Sequence, residues 1–317
     1  MEIGVYEDWM RPQVAKMFSL QYGLNENDFS KLIEDFYEHP YQKDRCLRIV
    51  AKEEDRVIGF QSFFYWPYRF NNKIYNSFQS GNSLVHPEFR GKGIFQKLLT
   101  YIDTHSRKLG IDFLIGFPVE ASKKSFIRNQ WENILNLQWH IKIINPLSFF
   151  FSLRLQELHN VFNTPSYTLD GNSSSFRLAS NPDFSSWRNH YSKEGRYLYF
   201  SFAQQNYSAN FTLKFIKRRK YINELIIGDF QCNTNDLTFI HEAFNTLIRK
   251  ARSLRFLSIL TIAINERSSY SLLKPLLQSG FKKTNKKIYF IIKDFSNNQA
   301  IHNPESWTLY RSDIDTW

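Results

Sequence analysis

The stretch HPEFRGKGIFQKLL (86–99) constrains this chain more than any other. It sets Arg90, Gly91, Lys92 and Gly93 in succession, after the strand-like NSLV and directly before a run with helical apolar spacing. Only 12 glycines occur in 317 residues, so two so close together need a reason. Glycine reaches backbone angles other residues avoid and lets a ligand approach the main chain. The first amides of a helix lack internal partners, and the helix dipole adds partial positive charge there. A strand ending near Val85, a tight loop and a helix opening near Gly93 therefore predict an anion cradle of N–H groups suited to a pyrophosphate, with Arg90 and Lys92 at its rim. An ordinary strand–helix turn that needs glycine for geometry alone fits the same residues. The loop has no Gly-Lys-Ser/Thr ending, so it is not a Walker A loop. It lacks the third glycine of a dinucleotide fingerprint.

The surrounding pattern alternates strands and helices. CLRIVAK (46–52) and RVIGFQSFFYW (56–66) flank the charged turn Glu53-Glu54-Asp55 and read as a hairpin. KIYNSFQSGNSLV (73–85) reads as a third long strand. After the glycines, Ile94, Phe95, Leu98, Leu99, Ile102 and Leu109 form one apolar stripe, with Gly110 as the stop. DFLIGF (112–117) reads as a buried parallel strand, and a helix is expected from near Ser122 to before Trp131. The second half repeats this order: a strand at 221–230, an amphipathic helix at 237–251, the buried strand FLSILTIAI (256–264), a helix over about 268–279, and Gly280-Phe281 leading into KKIYFIIKDF. Where the first half has Arg-Gly-Lys-Gly, the second has QCNTND, with no glycine.

At 317 residues the chain exceeds one ordinary core, so we expect a domain at 1–145, a connector at 146–175 and a second domain at 176–317. Cys46 and Cys232 belong to no metal-type cluster, the eight histidines show no metal spacing, and no secretory h-region opens the chain. A reducing cytoplasm and no metal fit these features. The longest smooth apolar run is far below the ~20 residues that span a bilayer. Residues 1–150 carry 19 basic and 17 acidic side chains, against 22 and 13 in 151–317. The basic second half favours an anionic partner such as a nucleotide-bearing cofactor, tRNA or an anionic glycan or lipid, or it is a solvated basic surface. KFIKRRK (214–220) reads as a solvated strand end, FFYWPYRF (63–70) as a pocket lining or an aromatic core and turn, and Trp187, Trp307 and Trp317 as packing.

SLVHPEFRGKGIFQKLL resembles the central motif of the GNAT superfamily of acyl-CoA-dependent N-acyltransferases, Val-x-Pro-x-x-Arg-Gly-x-Gly-x-Gly/Ala. Val85, Pro87, Arg90, Gly91 and Gly93 carry the match. DFLIGFPVEASKKSFIRNQWENI resembles the family's fifth strand, fourth helix and closing Gly-aromatic pair. The resemblance implies an α/β fold (α+β by some schemes) of two GNAT-like domains, each a mixed, mostly antiparallel sheet flanked by helices, the second degenerate. It implies acetyl-CoA as co-substrate. Arg90, Gly91, Lys92, Gly93, Ile94 and Phe95 would hold its pyrophosphate, Leu84 and Val85 its pantetheine arm and thioester, and Ser122 and Phe126 would border it. Three positions depart from the pattern. Phe95 stands where Gly or Ala is usual, and Gln130 precedes Trp131 where Gly is usual. Phe126 replaces the tyrosine that often protonates the leaving thiolate.

Direct attack by an amine needs a polarised thioester carbonyl and a base. The amide near Val85 is assigned to the first role and Glu120 to the second, against the alternative that Glu120 is a solvated helix-start charge. His86 reads as a packing or capping residue, and Asp112 as the start of a strand away from the site. The leading reading is an N-acetyltransferase acting on a primary amine of a small molecule or amino sugar, with the second half shaping the acceptor side. Chains of this length with two GNAT-like parts resemble bacterial proteins of surface-polysaccharide pathways. The alternatives are a Fem-like, aminoacyl-tRNA-dependent transferase, favoured by the basic second half, and a non-catalytic acyl-CoA-binding module, favoured by Phe126.

Overall fold

The hairpin around the charged turn forms as β2 (Leu47–Glu53) and β3 (Arg56–Tyr65), and the N-terminal half is built onto it. In this computed structural model the described residues are 1–163, 174–191, 197–218, 221–270 and 272–315. β1 (Glu2–Val5) pairs with β2, and β4 (Ser77–Val85) pairs with β3, both antiparallel. β5 (Phe113–Gly116) then lies parallel to β4. The expected single strand over 73–85 is broken at Asn76. Lys73–Tyr75 turns away into a small sheet with Tyr68–Phe70 and Arg177–Leu178. The break has a cause: the Asn76 amide donates to the Asp112 carboxylate (2.7 Å) and its side chain donates to the Gly110 carbonyl (2.7 Å). Asn76 thereby pins the start of β4 to the approach to β5.

α1 (Arg11–Tyr22) and α2 (Glu26–Leu32) precede the hairpin. α3 (Ile94–His105) connects β4 to β5 and buries Ile94, Leu98, Leu99 and Ile102, the expected stripe, whereas Leu109 lies beyond the helix and is exposed. α4 (Glu120–Arg128) begins two residues earlier than the sequence suggested, and β6 (Glu132–Ile143) follows. α5 (Leu155–Val161) and α6 (Pro182–Tyr191) lead to the second half: β7 (Leu198–Gln204), β8 (Tyr207–Arg218), β9 (Ile222–Cys232), α7 (Leu237–Ser253), β10 (Ile259–Ile264), α8 (Leu273–Gln278) and β11 (Lys282–Asp294). Residues 164–173 of the expected connector, 219–220 of the basic run and Trp317 lie outside the described residues.

The main sheet is mixed and mostly antiparallel, with helices against it, and it is continuous. Its order is β1-β2-β3-β4-β5-β11-β6-β10-β9-β8-β7, and only β4/β5 and β9/β10 are parallel. The two final strands cross over. β11 pairs with β5 of the first half, and β6 pairs with β10 of the second. Both faces of the central strands are covered, which explains their unbroken apolar runs. Phe113 and Ile115 join a core with α1, α2 and the C-terminal segment, while Leu114 between them joins the core beneath α3. The same alternation holds for Phe290, Ile291 and Ile292. FFYWPYRF is core: Phe63, Phe64, Trp66 and Tyr68 have no exposed surface. Trp187 stacks on Phe36 (5.0 Å) and Trp307 on Phe176 (4.4 Å), both as packing residues.

Candidate active site

β4 and β5 stay together for only three residue pairs, Ser77–Gln79 against Phe113–Ile115. Two local features then part them. Opposite β3, two residues (Gly81, Asn82) stand between Ser80 and Ser83 where only Ser62 stands between Gln61 and Phe63, a bulge that bends β4. A Cβ on Gly81 would lie 2.2 Å from the Phe64 ring, so glycine is required there. On the other side β5 stops at Gly116, and Pro118 has no N–H to continue a ladder. The end of β4 is therefore an unpaired edge. His86 N–H donates to the Ile58 carbonyl (2.9 Å), so alternation gives Leu84 the bonds to β3 and turns the backbone groups of Ser83 and Val85 into the gap. Val85 thus turns its amide away from β3 and into the gap. Leu84 spends its backbone groups on β3 and buries its side chain, so the free backbone beside Val85 belongs to Ser83.

The glycine loop stands at the mouth of this gap. Gly91 (φ 78°) and Gly93 (φ 74°) both adopt the left-handed conformation, and a Cβ at either would meet nothing within 4 Å. Glycine is needed here for backbone angle, not for space, and the loop is solvent-facing. Gly93 caps α3 with no side chain to accept from its amides. Among the described residues, no acceptor meets the amides of Gly91, Lys92, Gly93, Ile94, Phe95 or Gln96; the ladder of bonds begins with Lys97 N–H to the Gly93 carbonyl (3.1 Å). The cations are arranged differently from expectation. Arg90 folds back, donating to the Val85 carbonyl (3.3 Å) and to Gln21 of α1 (2.7 Å), and so braces the strand end. Lys92 lies over the Phe89 ring (4.6 Å). His86 approaches Arg56 (3.3 Å), which pairs with Glu88 (2.6 Å).

On the far side of the gap, Glu120 opens α4 and Ser122 bonds back to the Val119 carbonyl (3.2 Å). Phe126, expected beside the cofactor, is instead a core residue. It is 4% exposed and packed edge-on against Phe95 (5.2 Å) and Trp131 (4.9 Å), because α4 turns that face onto α3. Glu120 borders a cavity of about 570 Å³ whose apolar walls include Phe117, Trp139 and Ile288. Tyr289 of β11 donates its hydroxyl to the Glu120 carboxylate, and that bond raises the phenol's pKa. Lys123 (3.8 Å) and Lys287 (5.1 Å) lie against the Tyr289 ring. Arg311 and Ile314 of the C-terminal segment complete the cavity. Sequence reasoning missed Tyr289, Lys287 and Arg311. Each lies more than 160 residues from Glu120, and no local motif marks it.

Among the described residues no group of His, Cys, Asp or Glu is arranged for a metal ion, no helix is long and apolar enough to cross a membrane, and Cys46 and Cys232 are unbonded.

Residues 7–128 match the family described as "Acetyltransferase (GNAT) domain". No curated protein matches the chain. Among solved structures, a GCN5-related N-acetyltransferase from Anabaena variabilis superposes with a TM-score of 0.63 at 12% identity, covering 92% of this chain and 72% of that one. A second, from Kribbella flavida, gives 0.59 at 11% identity, covering 95% and 72%. A conserved protein of unknown function from Enterococcus faecalis, described as a probable N-acyltransferase, gives 0.58 at 10%, covering 93% and 73%. At such identities the likeness is one of fold, and it runs through both halves. The glycine loop and the splayed end of β4 both lie within residues 7–128, the span that matches the GNAT acetyltransferase domain.

Proposed function

We propose that the protein is an N-acetyltransferase that carries an acetyl group from acetyl-CoA to a primary amine. The observation that carries this reading is the row of unpartnered amides at residues 91–96, set at the mouth of a gap whose edge is the free backbone of β4. These residues fit a pyrophosphate: six N–H groups without acceptors, a helix N-terminus, and open space over both glycines. Ser83 and Val85 would hydrogen-bond the extended arm of the donor, whose thioester supplies an activated acyl group.

The protein's own groups then divide the work. The Val85 amide donates to the carbonyl oxygen as it gains negative charge. Glu120 takes a proton from the acceptor nitrogen as the C–N bond forms and the C–S bond breaks, leaving an amide, a protonated Glu120 and a thiolate that takes its proton from solvent. Tyr289, whose hydroxyl rests on Glu120, stays protonated at neutral pH and keeps a proton beside that carboxylate. Buried Phe126 has no proton to supply, and a thiolate is a tolerable leaving group without one. The 1–145 and 176–317 halves share the task in this reading. The first supplies the loop and Glu120, and the second walls the acceptor cavity with β11 and the C-terminal segment. A cytoplasmic setting suits a CoA-dependent reaction.

Calorimetry with acetyl-CoA, paired with thiol release across a panel of amines, tests the reading. Gly93→Val should weaken acetyl-CoA binding by at least about 10-fold, since a β-branched residue resists the left-handed conformation by more than ~1–2 kcal/mol. Unchanged affinity would overturn the assignment of the loop. Binding without turnover of any amine would move the protein to the acyl-CoA-binding modules, and binding that requires charged tRNA would move it to the tRNA-dependent transferases.

A further inference from the structure

The cavity beside Glu120 is not electrically neutral. Among apolar walls it is lined by one carboxylate, Glu120, and two cations, Lys287 on β11 and Arg311 on the C-terminal segment. Arg311 is held firmly in place. It opens the short turn Arg311–Asp313, and Asp313 locks that turn by accepting from the Tyr310 amide (2.7 Å) and the Tyr68 hydroxyl (2.8 Å). Asp313 is 3% exposed, so these bonds lie within the core. The rest of the segment is anchored as well. Arg188 donates to the Asp315 (2.8 Å) and Ile314 (3.0 Å) carbonyls, and Asn265 donates to the Trp307 carbonyl (2.7 Å).

The charges around Arg311 are mixed. Burial lowers its pKa to about 10, Asp315 and Tyr197 act to raise it and Arg188 and Arg218 to lower it, so it remains charged at neutral pH. Arg218 is itself matched by Glu224. A guanidinium taken partly out of water gains from a further anion, and its planar fork suits a carboxylate or phosphate in two parallel hydrogen bonds. A cavity of about 570 Å³ is of the size that holds a small ligand.

We infer that the acceptor is an amine that also bears an acidic group, carboxylate or phosphate, with its nitrogen at Glu120 and its acidic group held by Arg311. Lys287 adds positive charge at the exposed side. The inference rests on the acyltransferase reading, and it assigns Arg311 a specificity role rather than a step in the reaction.

The test uses matched pairs of amines on the full chain: α-amino acids and β-alanine against the corresponding decarboxylated amines, and glucosamine 6-phosphate against glucosamine. Thiol release from acetyl-CoA and calorimetric binding of each amine are both measured. The acidic member of at least one pair should be preferred about 10- to 100-fold. The carboxylate and phosphate pairs tell which acid is meant. Arg311→Gln should erase that preference by lowering use and binding of the acidic member far more than of the neutral one, and Arg311→Lys should restore part of it. Lys287→Glu, at an exposed position, should reduce the preference in a chain whose fold does not depend on the change, so the test survives if Arg311→Gln fails to fold. Equal use and equal binding of both members of every pair overturns the inference, as does Arg311→Gln lowering both members alike. These outcomes are separable from failure of the enzymatic reading, which shows as no acetyl-CoA binding while the amine-binding arm still reports on Arg311.

Discussion

The two long helices that follow the parallel-paired strands open in opposite ways. α3 is capped by Gly93, with no side chain over its first amides, and among the described residues no acceptor meets the six N–H groups from Gly91 to Gln96. α7 is capped by Asp236, whose carboxylate accepts from the Thr238 (2.8 Å) and Phe239 (3.4 Å) amides. The helix dipole is the same in both. The first is left open to an external anion, whereas the second is satisfied by its own carboxylate, so the second half has a helix N-terminus but no phosphate cradle. The carboxylates past the strands differ likewise. Glu120, after β5, borders the cavity and meets the Tyr289 hydroxyl. Glu266, after β10, is drawn to Lys283 (2.6 Å) and buried His140 (3.1 Å). The closing turns reverse the pattern: Gly280 (φ 78°) precedes Phe281, whereas Gln130 adopts φ 62° before Trp131 without being glycine.

The largest effect is expected at the paired carboxylates. Glu120→Gln should lower kcat by roughly 10²- to 10⁴-fold with acetyl-CoA affinity intact, while Glu266→Gln should leave kcat within a few-fold. Steady-state thiol release compares them, and equal losses would remove the distinction. Next is the cap of α7. Asp236→Ala should destabilise the protein by about 0.5–2 kcal/mol in urea melts without changing acetyl-CoA affinity. A smaller effect is expected at the closing turns. Gln130→Gly should stabilise by about 0.5–1 kcal/mol, and Gly280→Ala should destabilise by a similar amount, since only glycine adopts this conformation without strain. The smallest concerns His302, which ties the exchanged strands to the C-terminal segment. Burial disfavours its charge, but hydrogen bonds with Glu132 (2.9 Å) and Asp294 (3.2 Å) outweigh that and raise its pKa. The folded state therefore holds the proton more tightly than the unfolded one. The stability this contributes is full below the unfolded pKa and is lost as pH rises through the folded value. The melting temperature of His302→Gln should lack this fall across neutrality, and a parallel pair of curves would remove His302 from the account.

Much of the first half was legible because its signals are local. Charged turn residues mark the hairpin, the spacing of Ile94, Leu98, Leu99 and Ile102 marks α3, and positive-φ glycines mark the loop. The break at Asn76 was not legible, because it depends on an acceptor at Asp112 that sequence alone does not bring near. Phe126 is ambiguous in the sequence for a related reason: an aromatic on an amphipathic helix reads the same whether it lines a cleft or packs under Phe95 and Trp131.

Taken alone, the sequence fixes most of the elements, the uncapped glycine opening of α3 and the position of Glu120 just after β5, since period, capping and backbone angle are properties of a few neighbouring residues. Only the tertiary structure decided that β11 enters between β5 and β6 and brings Tyr289 and Lys287 to Glu120, with Arg311 following on the C-terminal segment. Every strand offers the same backbone donors and acceptors at its edge, so the choice of partner lies in how whole faces pack, and no short stretch of sequence records it.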